Sequence, residues 1–119
     1  MVFIFAKTPS DQLASLAKQI DQVVAKNKDK KLSAVINLIG EPTDAYLEKA
    51  KRFAQENGLK NVVITVTGDT DRFNVSDDAE VTAMHYKRKR VKFNYAVDKD
   101  GFNKEAIDKI VGGISAILN

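Results

Sequence analysis

The chain has 119 residues, the length of one domain spanning residues 1–119, and a domain this size buries roughly 65% of its unfolded surface. Its 44% hydrophobic and 29% charged residues exclude a disordered chain, and the absence of cysteine excludes disulfides, thiolate zinc sites and thiol chemistry by these residues. The net charge of +3 is local: Lys87, Arg88, Lys89, Arg90 and Lys92 supply five positives within six residues, and the remainder carries 14 basic against 16 acidic residues.

Residues 2–6 are a continuous run of β-forming apolar residues, which predicts a strand buried on both faces in a parallel sheet. Thr8 or Ser10 then caps a helix, with Pro9 tolerated in the first turn because its missing N–H would have no partner there. Leu13, Leu16, Ile20, Val23 and Val24 form its apolar stripe. The charged run 26–31 ends it in a solvated connector. Residues 32–39 predict a second buried strand, broken by Gly40, Glu41, Pro42 and Thr43 at the start of a second helix. The expected buried face of that helix is Leu47, Ala50, Phe53 and Ala54, and Asn57-Gly58 stops it. Residues 61–67 are nearly all β-branched and predict a third strand. Two strand–helix units followed by a strand imply right-handed crossovers and parallel pairing.

The pattern then changes. Gly68 to Asp78 is polar and too short for a full crossover helix. Residues 80–86 and 91–97 are strands separated by a short basic turn, so they pair antiparallel. Val91, Phe93, Tyr95 and Val97 alternate and are expected to face one side. Asn103 caps a last helix with the stripe Ile107, Ile110, Val111, Ile114 and Ile117. Its Gly112-Gly113 pair predicts close packing on the sheet, which would offset the ~1 kcal/mol per glycine lost in helix propensity. No apolar run approaches the ~20 residues needed to span a bilayer as a helix, and residues 1–6 are too short for the apolar part of a signal peptide. Compartment stays open.

The order strand, helix, strand, helix, strand, loop, hairpin, helix resembles the thioredoxin-like superfamily over nearly the whole chain. It is most similar to the peroxiredoxin and thiol-disulfide-oxidoreductase branch, and it also resembles bacterial cysteine-less thioredoxin-like domains that are often exported. Phe3 to Ser10 looks like the strand and turn that deliver the catalytic cysteine in that branch, with Thr8, Pro9 and Ser10 on the turn. Val62 to Thr67, with Gly68-Asp69 and Phe73-Asn74-Val75, is similar to the strand and loop before the hairpin. Val81-Thr82 matches the position where thioredoxins carry a cis-proline. A cis bond between non-proline residues costs ~3 kcal/mol, so a trans bond is expected there. The resemblance implies a three-layer α/β/α sandwich with three helices and a five-stranded mixed sheet in the order third, second, first, fourth, fifth. One helix is expected on one face and two on the other.

Four candidate sites emerge. The first is the degenerate groove of Thr8, Pro9, Ser10, Val81 and Thr82. A hydroxyl there needs an adjacent base to act as a nucleophile, and helix capping is the favoured reading. The second is His85, the only histidine, favoured as a packed or half-exposed strand residue over a metal ligand. The third is the acidic set Asp69, Asp71, Asp77, Asp78 and Glu80, whose spacing does not match a calcium loop and which reads as solvated turn carboxylates. The fourth is the basic hairpin Lys87, Arg88, Lys89, Arg90 and Lys92. Interleaved with Tyr86, Phe93 and Tyr95, it could solubilise an edge strand, hold an acidic partner or, less favoured, bind nucleic acid.

These observations lead to an expectation of a redox-inactive thioredoxin-like module that binds a protein partner, with no cofactor, metal or membrane requirement, as a monomer or weak dimer. Two alternatives stand beside it. One is a fragment or engineered form of a thiol redox protein whose cysteines lie upstream or were removed, a reading prompted by a chain that begins almost inside its first strand. The other is a polyanion binder acting through the hairpin.

Overall fold

A computed structural model describes residues 1–68, 79–87 and 90–118. Five strands form one sheet: β1 (Val2–Ala6), β2 (Ala34–Ile39), β3 (Val62–Thr67), β4 (Val81–Lys87) and β5 (Arg90–Val97). Three helices connect or follow them: α1 (Asp11–Lys26), α2 (Asp44–Glu56) and α3 (Lys104–Gly113), the last running on into a 3-10 turn at Ile114–Ile117. The strand order is β3-β2-β1-β4-β5, as expected. β1, β2 and β3 are mutually parallel, and β4 is antiparallel to both β1 and β5.

Pairing register fixes which side chains share a face. Ile4 lies level with Ile36 of β2 and Ala83 of β4, and Ile36 lies level with Ile64 of β3. Alternation therefore puts Val2, Ile4, Ala6, Ala34, Ile36, Leu38, Val62, Val81 and Ala83 on one face. These residues share a single buried cluster with Leu13, Leu16 and Ile20 of α1, Ala50 and Phe53 of α2, and Ile107 and Ile110 of α3.

All three helices thus pack on the same face, which corrects the expected division of one and two. The cause is topological. Both crossovers run outward in the same direction, from β1 to β2 to β3, and two right-handed crossovers in one direction land on one face. Phe5, Thr82 and Met84 lie on the opposite face and are buried there as well. Most of the polar stretch between β3 and β4, residues 69–78, lies outside the described residues.

The helices begin where their capping side chains dictate. Ser10 Oγ accepts from Leu13 N–H at 3.2 Å, Thr43 Oγ1 from Tyr46 N–H at 3.2 Å, and Asn103 Oδ1 from Ala106 N–H at 3.1 Å. Each supplies an acceptor to a backbone donor that the first helical turn leaves unpaired. Between α2 and the sheet the observed stripe is Tyr46, Ala50 and Phe53. Leu47, expected in the core, is 46% exposed. Tyr46 takes the inward position because its hydroxyl donates to the carbonyl of Ile39 at 3.1 Å and its ring occupies the space left by Gly40, where a Cβ would collide with it. Asp21, near the end of α1, accepts from the backbone N–H of Lys60 at 3.1 Å and of Asn61 at 2.6 Å, which fixes the approach to β3.

In the hairpin, His85 pairs with Phe93 but Tyr86 pairs with Val91, so Lys92 is an extra residue opposite that step. This is a β-bulge, which reverses the alternation beyond it. Phe93, Tyr95 and Val97 face the helices, whereas Val91 lies level with Tyr86 on the other side and is 46% exposed. The expectation that Val91 shares their face is corrected by that one inserted residue.

Candidate binding recess and the basic hairpin

The turn after β1 is held against the start of β4: Lys7 N–H donates to the Glu80 carbonyl at 3.0 Å, and Ser10 N–H to the Thr8 carbonyl at 2.9 Å. A recess of about 160 Å³ opens there, lined by Thr8, Ser10, Gln12, Glu80, Lys99 and Phe102. Four pieces of chain meet at it: the β1–α1 turn, the first turn of α1, the residue before β4, and the loop between β5 and α3. It lies at the carboxyl end of β1, where the sheet changes from parallel pairing with β2 to antiparallel pairing with β4. The strand order turns at the same place, since β1 leads out to β2 on one side and β4 to β5 on the other, and in open α/β sheets crevices lie outside strand carboxyl ends at such turning points.

The structure divides the five groove residues expected from sequence. Thr8 and Ser10 line the recess. Pro9 lies apart, on a shallow depression with Lys49, Arg52, Phe53 and Glu56 of α2. Val81 is buried beneath the helices and Thr82 is buried on the opposite face, its hydroxyl without a hydrogen-bond partner among the described residues, so neither opens into the recess. Glu80, one residue earlier, occupies that place. Among the described residues no peptide bond is cis. Sequence reasoning missed Gln12, Lys99 and Phe102. Gln12 follows from the cap, since the first turn after Ser10 must border the same space. Lys99 and Phe102 arrive only through closure of the fold, and nothing local in the sequence marks them.

Among the described residues the recess holds no activated nucleophile. Ser10 Oγ is engaged as the acceptor for Leu13 N–H. His85 lies level with Val2, whereas the recess adjoins Ala6, four residues along β1 and about 13 Å away at ~3.3 Å per residue. His85 itself is fully buried rather than half-exposed. Its Nε2 lies 2.9 Å from the Ile110 carbonyl, its ring stacks on Phe93 with centroids 4.7 Å apart, and among the described residues Nδ1 has no hydrogen-bond partner. Burial pushes its pKa below the ordinary 6.5, with the Ile110 hydrogen bond opposing that shift in part. Among the described residues no three His, Asp or Glu side chains converge as a metal site. Of the acidic set, Asp69, Asp71, Asp77 and Asp78 lie outside the described residues.

At the far end of the sheet, Lys87, Arg90 and Lys92 line a second concavity of about 530 Å³ together with Ala116 of the 3-10 turn. Arg88 and Lys89 lie outside the described residues. The aromatic residues that alternate with these cations are occupied elsewhere. Phe93 stacks on His85 beneath Gly113, where a Cβ would come within 2.5 Å of its ring. Tyr86 meets Phe3 edge to face at 5.5 Å, and Tyr95 carries the Lys109 ammonium 5.5 Å from its ring centroid. Among the described residues no helix is long and apolar enough to cross a membrane.

No protein-family model matches the chain, and no curated relative does. Among solved structures the chain is similar to one from Chlorobium tepidum assigned as a thiol:disulfide interchange protein, DsbE. The two share 18% sequence identity at a TM-score of 0.72, over 99% of this chain and 79% of that one. Together with the sheet order, this likeness shows that the chain has a thioredoxin-like fold.

Proposed function

We propose that this chain is a redox-inactive thioredoxin-like module that holds a polypeptide segment at the recess beside β1. The observation that carries the reading is the placement of the recess at the sheet's switch point, with a lining of hydroxyl, amide, carboxylate and ammonium groups and no thiol. Its volume of about 160 Å³ is below the ~300–1,000 Å³ of typical small-molecule pockets. It suits one side chain or a short stretch of main chain. Thr8 and Gln12 can both donate and accept, Glu80 accepts and Lys99 donates, which matches the alternating donors and acceptors of a peptide backbone. The buried ring of Phe102 supplies an apolar wall.

The test is fluorescence anisotropy with a labelled panel of extended peptides of varied sequence. The native chain is expected to bind a subset. Thr8→Trp, which fills the recess from an exposed position, is expected to weaken that binding about tenfold, or 1.4 kcal/mol. Binding that Thr8→Trp leaves unchanged would place the site elsewhere.

A further inference from the structure

The β-bulge at Lys92 has a second effect besides displacing Val91. Beyond the bulge Lys87 pairs with Arg90, and the extra residue adds Lys92 to the same concavity. Three cations therefore converge on one side of the hairpin, and among the described residues no acidic side chain lines the space with them. The neighbouring carbonyl end of α3 and its 3-10 turn is electronegative, but a helix end amounts to only about half a unit charge. That offsets a small part of three positive charges, so the basin retains an outward positive potential.

Such a basin favours an anion recognised by charge. The neighbouring aromatic rings already hold partners, Phe93 stacking on His85, Tyr86 meeting Phe3 edge to face and Tyr95 carrying Lys109, so charge is the recognition feature that the basin offers. Ala116, the remaining described lining residue, is small and uncharged, which leaves room beside the three cations. We propose that Lys87, Arg90 and Lys92 form a docking surface for a carboxylate-rich segment of a partner polypeptide, separate from the recess beside β1. Arg90 offers a planar fork matched to a carboxylate, and the two lysines act as point charges around it.

The experiment measures binding of an oligo-glutamate peptide to the purified full chain at low and at physiological salt, beside an oligothymidylate of matched charge. The glutamate peptide is expected to bind more tightly than the oligonucleotide, with affinity falling as salt rises. The variant with Lys87→Ser, Arg90→Ser and Lys92→Ser is expected to lose about tenfold or more in affinity. A control changing Lys18, Lys26 and Lys28, exposed on and just after α1, removes the same charge and is expected to bind like the native chain. Amide spectra of both variants verify that they fold, and the salt dependence of the native chain gives a readout free of substitutions. Equal loss in both variants, tighter binding of the oligonucleotide, or no salt-sensitive binding of the peptide would each overturn the proposal.

Discussion

His85 Nε2 donates to the backbone carbonyl of Ile110 at 2.9 Å, tying β4 to α3 through the only histidine of the chain. A carbonyl only accepts, so the proton sits on Nε2 and the neutral ring leaves Nδ1 bare. Among the described residues Nδ1 is buried with no hydrogen-bond partner, and protonating it would place a charge in the core.

This arrangement makes stability depend on pH in a defined direction. Burial holds the folded-state pKa of His85 below 6.5. As pH falls past that ordinary value the unfolded chain gains a proton that the folded chain resists, so stability declines until the folded pKa is reached. Urea denaturation at about pH 7 and about pH 5.5 is expected to show lower stability at the lower pH. His85→Leu is expected to flatten that difference. An unchanged pH dependence in the variant would assign it to other groups.

The two glycines near the end of α3 are expected to respond oppositely to alanine. A Cβ at Gly112 meets nothing within 4 Å, whereas one at Gly113 falls 2.5 Å from the Phe93 ring. Gly112→Ala should stabilise by about 0.5–1 kcal/mol through helix propensity alone. Gly113→Ala should destabilise by about 1–3 kcal/mol, because the Phe93 ring is held between α3 and His85. Adding Phe93→Leu to Gly113→Ala should recover part of the loss. Thermal or urea melts of the four proteins decide this.

Ser10 and Thr8 separate in the same way. Ser10→Ala removes the α1 cap and should cost about 1 kcal/mol, with Ser10→Asp close to native. Thr8 is exposed, and Thr8→Ala should stay within about 0.5 kcal/mol. A larger effect at Thr8 than at Ser10 would contradict the assignment of Ser10 as the cap.

Strand positions and their order were legible because the first three strands are compact β-forming runs, the hairpin strands flank a short basic turn, and the crossovers permit few topologies. Helix placement was legible in principle from the same rule, since two right-handed crossovers heading outward must share a face. What periodicity cannot resolve is a choice between adjacent apolar residues. Tyr46 displaced Leu47 from the core through a hydroxyl contact with Ile39 and the space at Gly40, both set by tertiary structure. The bulge was hidden for a related reason: Val91, Phe93, Tyr95 and Val97 alternate perfectly in sequence, and only the pairing of Tyr86 with Val91 reveals the inserted Lys92. At the recess a shift of one residue moved the facing group from Val81 to Glu80, because alternation sends Val81 inward.

Amide chemical-shift mapping of the isotope-labelled chain, titrated with the peptides that bind in the anisotropy panel, tests the central claim most directly. The largest shifts are expected on Thr8, Ser10, Gln12, Glu80, Lys99 and Phe102, which line the recess beside β1. Shifts that avoid these residues and gather on another surface of the sheet or helices would contradict it.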